Sequence, residues 1–168
     1  MTSHADELRA KLIRNFNEAP LTREAREPLY DSAGARLAPG TAALKLGASV
    51  DVLAPGKRSC PYHLHHAQEE MFIVVEGHGT MRVAGEMLAI KAGDIVFVPP
   101  GPEYPHQVIN TSDAPLKYLS ISTKERPEVV EYPDSGKVLT SARVNGNDFG
   151  FERMNRLDTD LDYWDGEP

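Results

Sequence analysis

With 168 residues, 40% apolar and 26% charged, the chain is long enough for one domain with a sizeable core and has an ordinary globular composition. No stretch approaches the roughly 18 apolar residues of a membrane span, and the N-terminus lacks the basic start and apolar run of a secretory leader, so a cytoplasmic location is expected. Eighteen basic residues against 25 acidic ones leave a net charge of −7 without a cationic run longer than Lys57-Arg58, which argues against nucleic acid as a partner, and the single Cys60 excludes an internal disulfide.

The first predicted element is a short amphipathic helix. Leu8, Leu12, Ile13 and Phe16 recur at near-helical spacing, Ser3 is placed to cap, and Asp6 and Glu7 fall in the first turn. Its apolar stripe is expected to pack on the main domain or on a second subunit. Residues 17–46 mix Pro, Gly, Ala and charge without a period and read as loop with short extended pieces.

From Gly47 to Thr123 the pattern changes to β-rich runs: "ASVDVLA", "MFIVVE", "TMRVA", "EMLAI", "DIVFVPP", "HQVIN" and "PLKYLSIS". They are separated by turn signals such as "EGHG", "KAGD" and "PPGPEYP", a spacing that predicts an all-β antiparallel sandwich or barrel. Residues 124–168 are polar and acidic. There "EVVEYP" and "FGFERM" are candidate strands, "PDSGK" is a turn, and the whole reads as a wrap around the barrel or an arm to a partner. Asp158, Asp160 and Asp162 have calcium-loop spacing, but Tyr163 stands where such a loop needs Gly, so a solvated acidic end is expected.

The chemistry is concentrated in "PYHLHHAQEE", residues 61–70, which holds half of the six histidines and two glutamates directly before a strand. Residues two apart on a strand share a face about 6.6 Å apart, so His63 and His65 point the same way. Inward-facing imidazoles need a partner, and a divalent metal satisfies several nitrogens at once. Glu70 opens the next strand with an inward carboxylate, whereas alternation sends Glu69 outward. His106, in "GPEYPHQVIN", is the remaining histidine with a strand-like context and completes a candidate metal set of His63, His65, Glu70 and His106. A vestigial polar pocket is the bland alternative. His66 and His78 lie off the inward register or in a turn and are expected to face solvent. Gly77, Gly79, Gly85, Gly93 and Gly101 are expected to supply turn conformations, Asn110 to satisfy loop backbone, and Cys60 to be a buried, inert thiol.

In order and nearly in spacing, these residues resemble the two motifs of the cupin superfamily. Gly56, His63, His65, Glu70 and Gly77 form the first; Gly93, Pro99, Gly101, His106 and Asn110 form the second. Gly56 and His63 are separated by six residues where the family pattern has five, and Gly101 and His106 by four where it has two; both extra lengths fall in loops. The resemblance covers residues 45–123, and "LGASVDVLAPG", "EYPDSGK" and "DYWDGEP" look like small single-domain bacterial cupins. It implies a double-stranded β-helix whose barrel holds one metal through three His and one Glu, and a tendency to dimerise. The expected organisation is a helix and extension over 1–44, the barrel over 45–123, and a C-terminal extension over 124–168 packing on the barrel or on a partner subunit.

Imidazole and carboxylate suit Fe, Mn, Zn, Ni, Co or Cu without choosing among them. The expected function is a metal-dependent enzyme on a small polar organic molecule, with no catalytic residue assigned. Two types compete, a dioxygenase and a sugar or sugar-phosphate isomerase for which Lys57, Arg58, Lys45 or Arg82 offer charge. The alternative is a non-catalytic small-molecule-binding or regulatory cupin. A homodimer, with no nucleic acid and no membrane, is the expected assembly.

Overall fold

The computed structural model describes residues 2–144, 147–157 and 160–168, the side chains of 143–149 excepted. Helix α1 spans His4–Leu12. The strands are β1 Thr22–Arg26, β2 Tyr30–Arg36, β3 Leu46–Leu53, β4 Leu64–His65, β5 Glu70–Glu76, β6 His78–Val83 and β7 Glu86–Lys91. They continue as β8 Ile95–Val98, β9 His106–Ile109, β10 Leu116–Thr123, β11 Glu128–Tyr132, β12 Lys137–Val144 and β13 Asn147–Arg156. The all-β expectation with a short N-terminal helix holds, and among the described residues no helix is long and apolar enough to cross a membrane.

Among the described residues the strands form three sheets. A six-stranded sheet runs β1-β2-β3-β10-β5-β8, a four-stranded one β13-β12-β11-β4, and a three-stranded one β7-β6-β9. The core lies between the six- and three-stranded sheets and holds Leu53, Phe72, Val74, Met81, Ile90, Val98, Val108, Leu116 and Tyr118. Alternation explains the selection. Phe72 and Val74 of β5 turn inward two apart, as do Leu116 and Tyr118 of β10. Asn110, fully buried, donates to the carbonyls of Leu53 and Ala114 at 2.9 and 2.7 Å and accepts from the Ser112 amide, tying the end of β9 to the start of β10.

Three expectations are corrected. Residues 17–46 are not mostly loop, since β1 and β2 form a hairpin that extends the large sheet through β2–β3 pairing. β1 is exposed along its length, so no apolar alternation marks it. Ser3 does cap α1 in a reciprocal capping box with Asp6, but no residue of the helix is buried, and of the stripe it is Phe16, beyond the helix, that is half-buried, with Lys117 Nζ of β10 5.4 Å from its ring. Gly77 takes a left-handed φ of 84° at a turn, but Gly79 does not. A Cβ at Gly79 would fall 2.7 Å from the Ile109 carbonyl oxygen, so close strand approach selects glycine there. Asp158 lies outside the described residues, and residues 160–168 are exposed.

Candidate metal centre and its cavity

Three short strands bring the predicted ligands together. In β4, Leu64 is buried in one direction, which turns His63 and His65 in the other. Residues 63 and 106 form a two-bond bridge, with His63 N donating to the His106 carbonyl at 3.2 Å and His106 N to the His63 carbonyl at 2.7 Å. This holds the two imidazoles with ring centroids 4.6 Å apart. Glu70 begins β5 on the same inward face as Phe72.

The three imidazoles converge on one oxygen. Glu70 Oε2 lies 2.7 Å from His106 Nε2, 3.5 Å from His65 Nε2 and 3.9 Å from His63 Nε2. His63, Glu70 and His106 form the compact set, with donor atoms within 4.8 Å of one another. His65 stands at its rim, its ring centroid 6.3 Å from that of His106. The exposure of these side chains is between 2% for His106 and 15% for His65.

The opposite edge of each ring is also occupied. His63 Nδ1 is 2.9 Å from the Pro61 carbonyl and His106 Nδ1 is 3.1 Å from the Tyr104 carbonyl, contacts that place a proton on each Nδ1. His65 Nδ1 is 3.5 Å from Glu128 Oε2. With its Nδ1 proton donated to a carbonyl, neutral His106 turns a lone pair at Glu70 Oε2 across 2.7 Å, and two lone pairs at that distance require a cation between them. A second proton on His106 is one solution. A divalent metal is the other, and it serves His63 and His65 as well, so the donor set fits a metal of the borderline class.

Electrostatics agree with an anionic Glu70. Burial pushes its carboxyl up, but the His106 hydrogen bond and the neighbouring imidazoles of His65, His106 and His63 outweigh that, and the net direction is down. The site opens on a cavity of about 260 Å³ whose walls include Ser49, Asp51, Cys60, Phe72, Tyr118 and Tyr132. Burial raises the Asp51 carboxyl above the usual range against the opposing Ser49 hydroxyl, which donates to Oδ2 at 2.6 Å. Burial also raises the Tyr118 phenol, and pushes the Cys60 thiol up to about 11, which keeps it protonated and a poor nucleophile.

Outside the site, His66 is exposed and meets Glu131 Oε1 at 2.6 Å, His78 is exposed, and Glu69 points to solvent. The cations offered from sequence for substrate charge are partly committed elsewhere: Lys57 pairs with Glu27 at 2.7 Å and Arg82 with Asp134 at 2.6 Å. Two participants escape the sequence reading. Asp51 has a signal, because Ser49 and Asp51 are polar residues two apart in the otherwise apolar "ASVDVLA" and so share the inward face. Glu128 has none, since the contact joins positions more than 60 residues apart.

Residues 49–122 match the Cupin domain family. The chain is 34% identical over 73 residues to an uncharacterized protein of Methanocaldococcus jannaschii, and 32% identical over 69 residues to a protein of Thermotoga maritima named oxalate-binding protein. Each match covers 41% of this chain and 57% or 54% of the other, so the chain spans about half the length of the curated relatives it matches. Among solved structures, a protein of Acidithiobacillus ferrooxidans provisionally named a sugar phosphate isomerase superposes with a TM-score of 0.72 at 26% identity, over 86% of this chain and 90% of that one.

Proposed function

From the premise that the chain belongs to the cupin superfamily, its cupin domain being residues 49–122, we propose that it is a metal-dependent enzyme that moves a proton beside a carbonyl of a small polar molecule. The observation that carries this is the convergence of His63, His65 and His106 Nε2 on Glu70 Oε2 at the wall of a cavity that also holds the half-buried carboxyl of Asp51. His63, His65, Glu70 and His106 would hold the ion, and three neutral imidazoles with one carboxylate leave a divalent cation with net positive charge. When bound, such an ion polarises a carbonyl or hydroxyl oxygen as a Lewis acid.

The remaining work falls to the chain. Asp51 holds its proton to higher pH than an exposed aspartate, and a carboxyl tuned toward neutrality is suited to passing a proton to and from carbon. The Ser49 hydroxyl orients it through Oδ2. Tyr118, kept protonated by burial, is a donor for a substrate oxygen, and Phe72 and Val108 form apolar wall that excludes water. The relative named a sugar phosphate isomerase fits this reading. The relative named oxalate-binding protein supports a second one, in which the site binds a small acid without turning it over.

The test is metal analysis joined to isotope exchange. Wild-type protein is expected to co-purify with a transition metal, and His106→Ala to lose most of it. Incubation with hexose phosphates in heavy water is expected to wash deuterium into the carbon next to the carbonyl, with Asp51→Asn retaining metal but losing that exchange. Oxygen uptake without proton exchange would replace this reading with a dioxygenase. A metal-loaded protein that does neither, yet binds small acids tightly, would leave the binding role.

A further inference from the structure

A second cavity, of about 400 Å³, adjoins the first and shares Ser49 and Ser120 with it. We infer that this outer cavity is a binding site for a phosphate monoester group, formed by Arg36, Lys124 and Arg126 with the hydroxyls of Ser120 and Ser122. The inference deepens the proposed function and rests on it for the identity of the molecule's other end.

Strand register puts the two cavities on one continuous surface. Ser122 lies directly opposite Glu70 and Ser120 opposite Phe72 across the β10–β5 pair, while Gly47 and Ser49 oppose Ser122 and Ser120 across β10–β3. Directly paired residues share a face, so the hydroxyls of Ser120 and Ser122 step outward from beside Glu70 to the cations. Paired strands are about 5 Å apart and residues two apart about 6.6 Å, which sets the cations on the order of 10 Å from the metal ligands. That is the span of a short carbon chain with a carbonyl at one end and a phosphate at the other. Gly47 keeps the passage open, because a Cβ there would fall 2.9 Å from Ser122 Oγ and 3.2 Å from Lys124 Cε.

Charge points the same way. In a chain of net charge −7, three cations meet in this cavity with one carboxylate, Glu152. Four cations of the fold are committed to carboxylates, in Arg23–Asp31, Lys57–Glu27, Arg82–Asp134 and Lys117–Glu76. Among the described residues Arg36, Lys124 and Arg126 have no such partner. Arg126 is instead oriented by a neutral group, donating from Nη1 to Ser141 Oγ at 2.6 Å, which leaves its other N–H donors for a ligand. Arginine forks and serine hydroxyls together match the geometry and charge of a phosphate dianion.

The experiment is calorimetric titration of the full chain, metal-loaded and chelated, with inorganic phosphate and with glucose 6-phosphate set against glucose at constant ionic strength. Phosphate binding is expected to survive chelation and to weaken by about tenfold in Arg36→Ala and in Arg126→Ala. Lys124→Ala is expected to weaken it less, and glucose to bind far more weakly than its phosphate ester. Metal content and melting temperature of Arg36→Ala and Lys124→Ala are expected to match wild type, which separates lost binding from lost folding. Phosphate affinity unchanged in the arginine variants, or abolished by chelation alone, would overturn the site by making the anion a metal ligand. Absence of phosphate binding to the well-folded chain would overturn it too. Because metal content is read on the same samples, failure of the metal centre and failure of the phosphate site remain distinct results.

Discussion

The carboxylate of Glu128, 2% exposed, accepts the backbone N–H groups of His66, Ala67 and Gln68 at 3.0, 3.1 and 3.0 Å while its Oε2 stands behind His65 Nδ1. It therefore shapes the loop that follows the His-x-His pair and braces His65, the outermost candidate ligand. Burial raises its carboxyl, but the His65 imidazole and the amides of Ala67 and His66 more than offset this, so the net direction is down from 4.5. A lowered folded value means that the stabilisation is fully present above the unfolded carboxyl's range and is lost as pH falls through the folded value. Glu128→Ala orphans the amides of Ala67 and Gln68 at about 1–3 kcal/mol each, His66 N–H keeping the Val129 carbonyl at 3.0 Å, so we expect a loss of about 2 kcal/mol or more. Its metal affinity should fall by about 10-fold or more, as for other partners of ligating histidines. Thermal melts of wild type and variant from neutral pH downward should converge in acid, and a gap that persists there would show that packing, not charge, is what Glu128 supplies. By contrast His66→Ala, one residue from His65, should keep wild-type metal content by elemental analysis, because its imidazole faces Glu131 at the surface. The difference between neighbours such as Glu69 and Glu70, or His65 and His66, is legible in sequence because strand alternation is a local rule. Glu128 is invisible to that rule, since its role arises only when β11 pairs with β4.

The elements that sequence reveals are those whose side chains alternate between core and solvent. β5 and β10 alternate apolar positions against the interior, and β9 sets His106 and Val108 inward, and all three stand out as runs. β1, "TREAR", buries nothing and is held by backbone pairing to β2 and by the two bonds from Arg23 to Asp31 at 2.8 Å. Only a tertiary neighbour makes such a segment a strand, so composition reads it as loop. β12 is missed for a related reason: it lies between β11 and β13, and its pattern is set by both partners. Helix α1 is the converse case, fully legible from its cap and charges yet without a buried side chain, its last turn tied to the following segment by the Ala42 N–H on the Lys11 carbonyl at 2.8 Å. Since none of its residues is buried, removing residues 2–10 should change the unfolding free energy by no more than about 0.5 kcal/mol in urea titrations. A larger loss that grows on dilution would instead show Leu8, 44% exposed, and its stripe seated on a second copy of the chain.

His65 extends from the four-stranded sheet, Glu70 from the six-stranded and His106 from the three-stranded one. An ion held by these residues would cross-link all three sheets at one end of the barrel, whereas the apolar core cluster joins the six- and three-stranded sheets independently of it. Metal is thus expected to tune the stability of a fold that exists without it. A ligand that binds only the folded state contributes about 2.7 kcal/mol when present at about 100 times its dissociation constant. For a chain of this length that amounts to about 5–10 °C in melting temperature. Chelation should lower the melting temperature by such an amount, and re-addition of metal should restore it. Imidazole nitrogens must shed protons to ligate, so the difference between loaded and chelated protein should shrink as the buffer is made more acidic. His106→Ala supplies the control: its melting curve should already sit near that of chelated wild type and respond little to chelator. Identical curves for loaded and chelated wild type, with metal shown to be bound, would mean that the unfolded chain holds the ion as tightly as the folded one, and would break the link drawn between ligand convergence and the architecture of the barrel.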